Sequence, residues 1–164
     1  MISPYGTTPR IQYGLGMNVT YKKFDFGVFF NGSAKRTIMI SGISPFGQSD
    51  YNVMQFIADD YWSESNPNPN AKYPRLTSEG SANNYTTNSL WVADASYMKL
   101  RTLELYYNFS QEMMKKSKFI KGAKVFARGH DLFCVDKIKV LDPENIGTNH
   151  PTMTQYTFGV NLSF

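Results

Sequence analysis

Gln155-Tyr156-Thr157-Phe158-Gly159-Val160-Asn161-Leu162-Ser163-Phe164 is the most regular stretch of the chain. Tyr156, Phe158, Val160, Leu162 and Phe164 alternate without a break with Gln155, Thr157, Gly159, Asn161 and Ser163. Successive side chains of a β-strand point to opposite faces, so these residues make a strand with one apolar face and one small, polar face; wound as a helix they would mix the two sets.

The same period of two runs through four earlier segments, giving five strands at about residues 10–21, 24–33, 91–109, 123–134 and 154–164. In the first, Ile11, Tyr13, Leu15, Met17, Val19 and Tyr21 alternate with Gln12, Gly14, Gly16, Asn18 and Thr20. In the second, Phe24, Phe26, Val28 and Phe30 oppose Asp25, Gly27 and Asn31, and Phe29 breaks the pattern. Lys22-Lys23 joins the two, an unfavoured hairpin pair because tight hairpin turns want positive φ. In the third, Met98 and Leu100 share one parity and Leu103, Leu105, Tyr107 and Phe109 the other, so the phase changes near Arg101-Thr102, as a β-bulge would make it do. Two long connections remain, about 34–90 and 135–153. The first is rich in Ser, Asn, Gly and Pro, with Asn66-Pro67-Asn68-Pro69-Asn70 as its clearest loop marker. Val53, Phe56, Ile57 and Asp60-Tyr61 within it have helical spacing, predicting a short helix over Asn52–Tyr61.

The 164 residues set a prior of one domain, and no run of eighteen apolar residues exists, which excludes a transmembrane helix but not a transmembrane barrel. The net charge of +4 does not form a nucleic-acid stripe; Lys115, Lys116, Lys118, Lys121 and Lys124 cluster around Gly122 as a solvated turn does. Cys134 is the single cysteine, so no disulfide framework or thiolate metal site is expected. Met1-Ile2-Ser3-Pro4 opens no signal peptide, which a secreted barrel needs, so the chain is expected to be cytosolic, processed or a fragment, and the barrel features below favour the fragment.

Alternation alone fits a soluble antiparallel β-protein, with its apolar face on a core, or a membrane barrel, with that face on lipid. Three features favour the barrel. The polar faces are small (Gly14, Gly16, Asn18, Thr20; Thr157, Gly159, Asn161, Ser163), the strands have the length that crosses a bilayer when tilted, and short connections alternate with long ones.

A further group of residues carries a family likeness. Tyr61-Trp62, Asn68-Pro69-Asn70-Ala71-Lys72-Tyr73-Pro74-Arg75-Leu76, Trp91 and Asp94-Ala95-Ser96-Tyr97-Met98-Lys99-Leu100-Arg101 resemble the SusC/RagA family of TonB-linked outer-membrane proteins in order and spacing. Gly129-His130-Asp131-Leu132-Phe133 resembles the family's Gly-x-Asn-Leu-Phe segment, with Asp131 in place of Asn, and Leu141-Asp142-Pro143-Glu144 its Leu-Asp-Pro-Glu loop. The last ten residues resemble its C-terminal strand, and Thr157, Gly159, Leu162 and Phe164 match the general signal that the barrel-assembly machinery recognises. The resemblance implies an all-β fold of antiparallel up-and-down strands, the last five of a transmembrane barrel of about twenty-two strands with a plugged lumen. It implies nutrient import of oligosaccharide or peptide across the outer membrane of a Gram-negative, Bacteroidetes-like cell. The implied partners are the rest of the barrel and its plug, a SusD-like surface lipoprotein, outer-membrane lipid, and TonB, the last only through an N-terminal plug segment with no counterpart here. The alternative is a small soluble antiparallel β-protein acting as a ligand-binding or structural module.

No enzyme, cofactor or metal is expected. His130-Asp131 with Ser96 or Ser163 lacks a nucleophile-elbow pattern, and Asp59-Asp60 with Glu64 lacks EF-hand spacing for calcium. The aromatic residues Tyr51, Tyr61, Trp62, Tyr73, Tyr85 and Trp91 are more informative. Tyr61, Trp62, Tyr73 and Trp91 are the candidate ligand or partner contacts of the long loop; otherwise Trp62 and Tyr73 fold the loop on itself and Trp91 sits in an interfacial girdle. Lys99, Arg101, Lys124 and Arg128 fall on the polar parity, where they guide anionic cargo or pair with acids of the missing plug.

Overall fold

The computed structural model describes residues 5–40, 53–76, 89–110, 112, 119–139, 141–145 and 150–164. Tyr51, Tyr85, Lys115, Lys116 and Lys118 lie outside them. Along the chain come β1 (Ile11–Tyr21), β2 (Phe24–Ala34), β3 (Thr37–Met39), α1 (Gln55–Ala58), a 3₁₀ turn (Ser89–Trp91), β4 (Val92–Asp94), β5 (Tyr97–Asn108), β6 (Gly122–Asp136) and β7 (Gln155–Ser163). Five strands form one antiparallel sheet in the order β1-β2-β5-β6-β7, an up-and-down meander, and β3 pairs with β4 in a separate two-stranded sheet.

The cross-strand register carries one chemistry across the whole sheet. Val19, Phe26, Leu105, Ala127 and Phe158 lie in one row, and Asn18, Gly27, Glu104, Arg128 and Thr157 in the next. Each strand's apolar set therefore joins its neighbours' apolar sets, and the polar sets join likewise. The apolar face is exposed on the outer strands, with Leu15 at 70% and Phe158 at 77%, and half-exposed across the inner ones. That is far more contiguous apolar surface than a water-soluble monomer shows. β1 is exposed throughout and, among the described residues, has a strand on one side only. Lys22, in the two-residue turn, adopts φ 56°, the left-handed conformation that this turn demands despite the Cβ.

The third predicted strand, 91–109, is divided. Tyr97–Asn108 belongs to the large sheet, but Val92–Asp94 pairs with Thr37–Met39, and Trp91 lies in the 3₁₀ turn. Strands of three residues carry no readable period, so 34–90 read as loop although β3 lies within it. The helix is the four-residue α1, shorter than Asn52–Tyr61. β6 runs two residues past 134, to Asp136.

The described buried core lies at one end of the sheet rather than on a sheet face. Ile38, Ile40, Ile57, Tyr73, Trp91 and Ala95 of the first long connection and Ile138 of the second pack together. The two connections thus build one small folded rim above β2, β5 and β6. Just beneath it the strands fall out of step. Between the same two rows of partners β2 goes from Val28 to Phe30, β5 from Leu103 to Leu100, and β6 from Gly129 to Phe133. Each strand crosses that level with one more residue than the last. Arg101 is the extra residue of β5, at the phase change, and Asp131 in β6 takes φ 50°. Asn and Asp enter that conformation more readily than other residues with a Cβ, a physical reason for the residue type at this position.

Candidate functional site

The polar face is a network closed largely by the chain's own acids and bases. Toward the turn end, Arg128 Nε lies 2.6 Å from Glu104 Oε1, and its Nη2 donates to Tyr106 Oη at 2.7 Å. Tyr106 in turn donates to Glu104 at 3.0 Å. Asp25 accepts from Thr20 (2.9 Å) and Asn108 (2.8 Å), with Lys124 Nζ at 3.6 Å. The Lys124 ammonium also sits 4.3 Å from the Tyr106 ring centroid, a cation–π contact.

At the rim end the loop Leu141-Asp142-Pro143-Glu144 is tied to β5. Lys99, 4% exposed, donates to Asp142 at 3.0 Å and to Glu144 at 2.8 Å. Arg101 bonds Asp131 at 2.5 Å and also reaches Glu144, which accepts from the Tyr97 hydroxyl at 2.7 Å. Arg36 of the first connection donates to the Pro143 carbonyl at 2.9 Å. Burial works to raise the Asp142 carboxyl, but bonds from Thr152, the Glu144 N–H and Lys99 outweigh it and hold the group well below the ordinary carboxylate range. Glu144 is lowered in the same way: burial is outweighed by Lys99, Tyr97 and Arg101. Both stay ionised at neutral pH, as two buried or half-buried cations require.

Lys99, Arg101, Lys124 and Arg128 thus all meet acids of this chain. Sequence reasoning missed Asp142 and Glu144 as partners, because they stand 43 and 45 residues from Lys99.

The aromatic candidates separate. Tyr73 (3% exposed) and Trp91 (1%) are buried in the rim core, their rings stacked at 6.3 Å, so neither offers a face to a ligand, and Trp91 is not in an interfacial girdle. The reason is apolar contact with Ile38, Ile57 and Ile138 in the same cluster. Tyr61 is half-buried at the edge of that cluster and Trp62 is half-buried beside it in sequence; the Trp62 N–H donates to the Tyr73 carbonyl and the Tyr73 N–H to that of Asp60. The loop is thus folded on itself around Tyr73.

On β7, Thr157 and Gly159 lie on the polar side, Leu162 and the following Phe164 on the apolar parity, both exposed. The polar hydrolase candidates have other partners: Ser96 donates to Asp94 at 2.5 Å, and His130 meets Thr102 at 3.4 Å. Of the calcium candidates, Asp59 accepts from Gln55 and Glu64 pairs with Arg75. No group of three His, Cys, Asp or Glu residues among those described is placed to hold a metal.

No family model matches the chain. Curated relatives do. TonB-dependent receptor P26 of Formosa agariphila is 25% identical over 95% of this chain, and TonB-dependent receptor P3 of the same organism is 24% identical over 96%. The chain spans only 17% and 16% of their lengths. The proteins to which the chain is similar in sequence are thus TonB-dependent receptors. Among solved structures its fold is similar to part of RagAB, as the SusC/RagA likeness of the sequence anticipates: the RagAB peptide transporter (TM-score 0.76, 22% identity, 98% of this chain and 18% of that one) and the RagAB peptide importer in its open-open state (0.74, 23%, 96% and 17%).

Proposed function

We propose that the chain is the wall and outer rim of a TonB-dependent nutrient importer, five neighbouring strands, the last five of a barrel of about twenty-two. The observation that carries this reading is the pairing of one continuous, exposed apolar face with one polar face whose charges are neutralised within the chain. Lipid takes the first and the lumen the second. The two-residue turn at Lys22-Lys23 is then periplasmic, and the folded rim of the two long connections faces outward. The cargo is an oligosaccharide or a peptide. A SusD-like surface lipoprotein sits on the rim, where half-buried Tyr61 and Trp62 offer contacts. TonB engages a plug elsewhere in the importer, the barrel-assembly machinery engages Thr157, Gly159, Leu162 and Phe164, and the protein resides in the outer membrane of a Gram-negative, Bacteroidetes-like cell.

Nitroxide labels at Val160 and Asn161, in a Cys134→Ser background and a bilayer, test this. Val160 is expected to be accessible to an apolar quencher and Asn161 not. Val160 shielded from both apolar and aqueous quenchers would mean that its face packs on protein, and a soluble β-module would replace the barrel.

A further inference from the structure

Where β5, β6 and β7 run side by side, the apolar face is not flat. β6 contributes only Val125, Ala127 and Gly129 there, while its neighbours raise Leu105 and Tyr107 on one side and Phe158 and Val160 on the other. Two adjoining cavities of about 520 and 290 Å³ lie between these walls and share Leu105, Ala127 and Phe158. Together they form one trough along β6, lined chiefly by apolar residues. Its rim end is shut: the Leu132 side chain fills the place that a side chain on Gly129 would take. At the other end, beyond Val125, β6 continues with Ala123 and then with exposed Lys121, whose N–H bonds the Ser163 carbonyl and holds the residue at the mouth.

From Ala123 to Gly129 the strand rises by about 20 Å. On a strand tilted by about 45° that spans about 14 Å of depth, one leaflet of a hydrocarbon core about 30 Å thick. At the mouth the Tyr107 ring packs on Phe24 at 4.9 Å and on Phe109 at 5.0 Å, the kind of aromatic cluster that marks a membrane–water interface. A groove one leaflet deep, stopped at mid-membrane and ending on a cation at the interface, matches an acyl chain joined to a phosphate. Lys22 and Lys23, exposed in the β1–β2 turn at the same end, add to the positive charge there, which favours an anionic headgroup over a zwitterionic one. We infer that the trough seats one acyl chain of an anionic phospholipid whose headgroup phosphate is held by Lys121. The inference rests on the barrel reading, which turns this face to lipid, and adds to it a defined lipid at a defined place.

The test uses the full-length importer that contains this segment, reconstituted in phosphatidylcholine vesicles. The vesicles carry a trace of phosphatidylglycerol with a diazirine in mid-chain or, in parallel, phosphatidylcholine with the same group. After illumination, adducts are located by peptide mass spectrometry. The expected result is an adduct within 123–132 or 156–160 that phosphatidylglycerol gives severalfold more than phosphatidylcholine. Lys121→Gln should lower that adduct roughly fivefold, toward the phosphatidylcholine level, and Lys121→Arg should keep it. Ala127→Phe, which fills the trough from the lipid side, should remove it. Equal labelling by the two lipids, or a yield indifferent to Lys121→Gln or to Ala127→Phe, overturns the inference and leaves the barrel reading standing. No adduct from either lipid anywhere on the five strands rejects the barrel reading, and the inference with it. Heat-modifiable electrophoretic mobility confirms that each variant is folded.

Discussion

The Phe126 ring occupies the space that a side chain on its cross-strand partner Gly159 would need: a Cβ built on Gly159 comes within 2.5 Å of Phe126 Cζ. Phe126 lies on the polar face beside Tyr106, and the glycine opposite is what admits it. Gly159 also belongs to the assembly signal proposed above, so two causes are available for any defect there. Gly159→Ala is expected to cost about 1–3 kcal/mol by overpacking. Adding Phe126→Leu should restore folding if packing is the cause. Heat-modifiable mobility of the single and double variants checks this, and a defect that persists in the double variant assigns the glycine to recognition by the assembly machinery.

Removing one partner from the rim's ionic cluster should release the loop. Lys99→Met strands Asp142, whose remaining bonds come from Thr152 and the Glu144 N–H, and breaking a buried pair in this way costs about 3–5 kcal/mol. Proteolytic cleavage within 141–152 is expected to accelerate strongly, with the strands themselves still protected. An unchanged cleavage rate would show that the rim is held by its apolar cluster alone.

Acid should loosen the same loop. Asp142 and Glu144 have carboxyl groups lowered in the folded state, so the folded form binds fewer protons than the unfolded one. Their stabilisation is complete at neutral pH and is lost as pH falls from about 4, the ordinary carboxylate range, through the lowered values. A nitroxide at His150 in the Cys134→Ser background is expected to be immobile at pH 7 and to gain mobility below about pH 4. In an Asp142→Asn variant that transition should flatten.

Asp131 carries two demands that substitutions can separate. Its φ of 50° favours residues that tolerate the left-handed region, and its carboxylate pairs with Arg101 at 2.5 Å. Asp131→Gly keeps the backbone and loses the pair; Asp131→Glu keeps a charge and raises backbone strain by about 1–2 kcal/mol. If the step in the ladder is the main demand, the glycine variant will be the more stable in thermal unfolding.

The strands were readable from sequence because one face of each is selected for apolar residues, and a period of two survives even where Phe29 interrupts it. The irregularity at Arg101 was readable for the same reason: Met98 and Leu100 disagree in parity with Leu103 and Leu105. The rim was not. A three-residue strand such as β3 has no period, and Trp91 in a polar loop has the same local sequence whether it is buried or exposed. The ionic cluster joins residues more than forty positions apart, and pairing over that distance leaves no local pattern.

The extra residue at Arg101 makes β5 two short strands of opposite phase, spliced end to end. Were β5 to pair without that splice, Lys99 would turn to the apolar side and Leu100 to the polar side, since a one-residue slip exchanges the faces. The splice therefore uncouples the rim from the wall. Residues 97–100 can change what they hold above, be it an acidic loop or a different one, while the alternation that begins at Leu103 continues to meet its neighbours unchanged. A sheet built this way can vary its rim without rewriting its body.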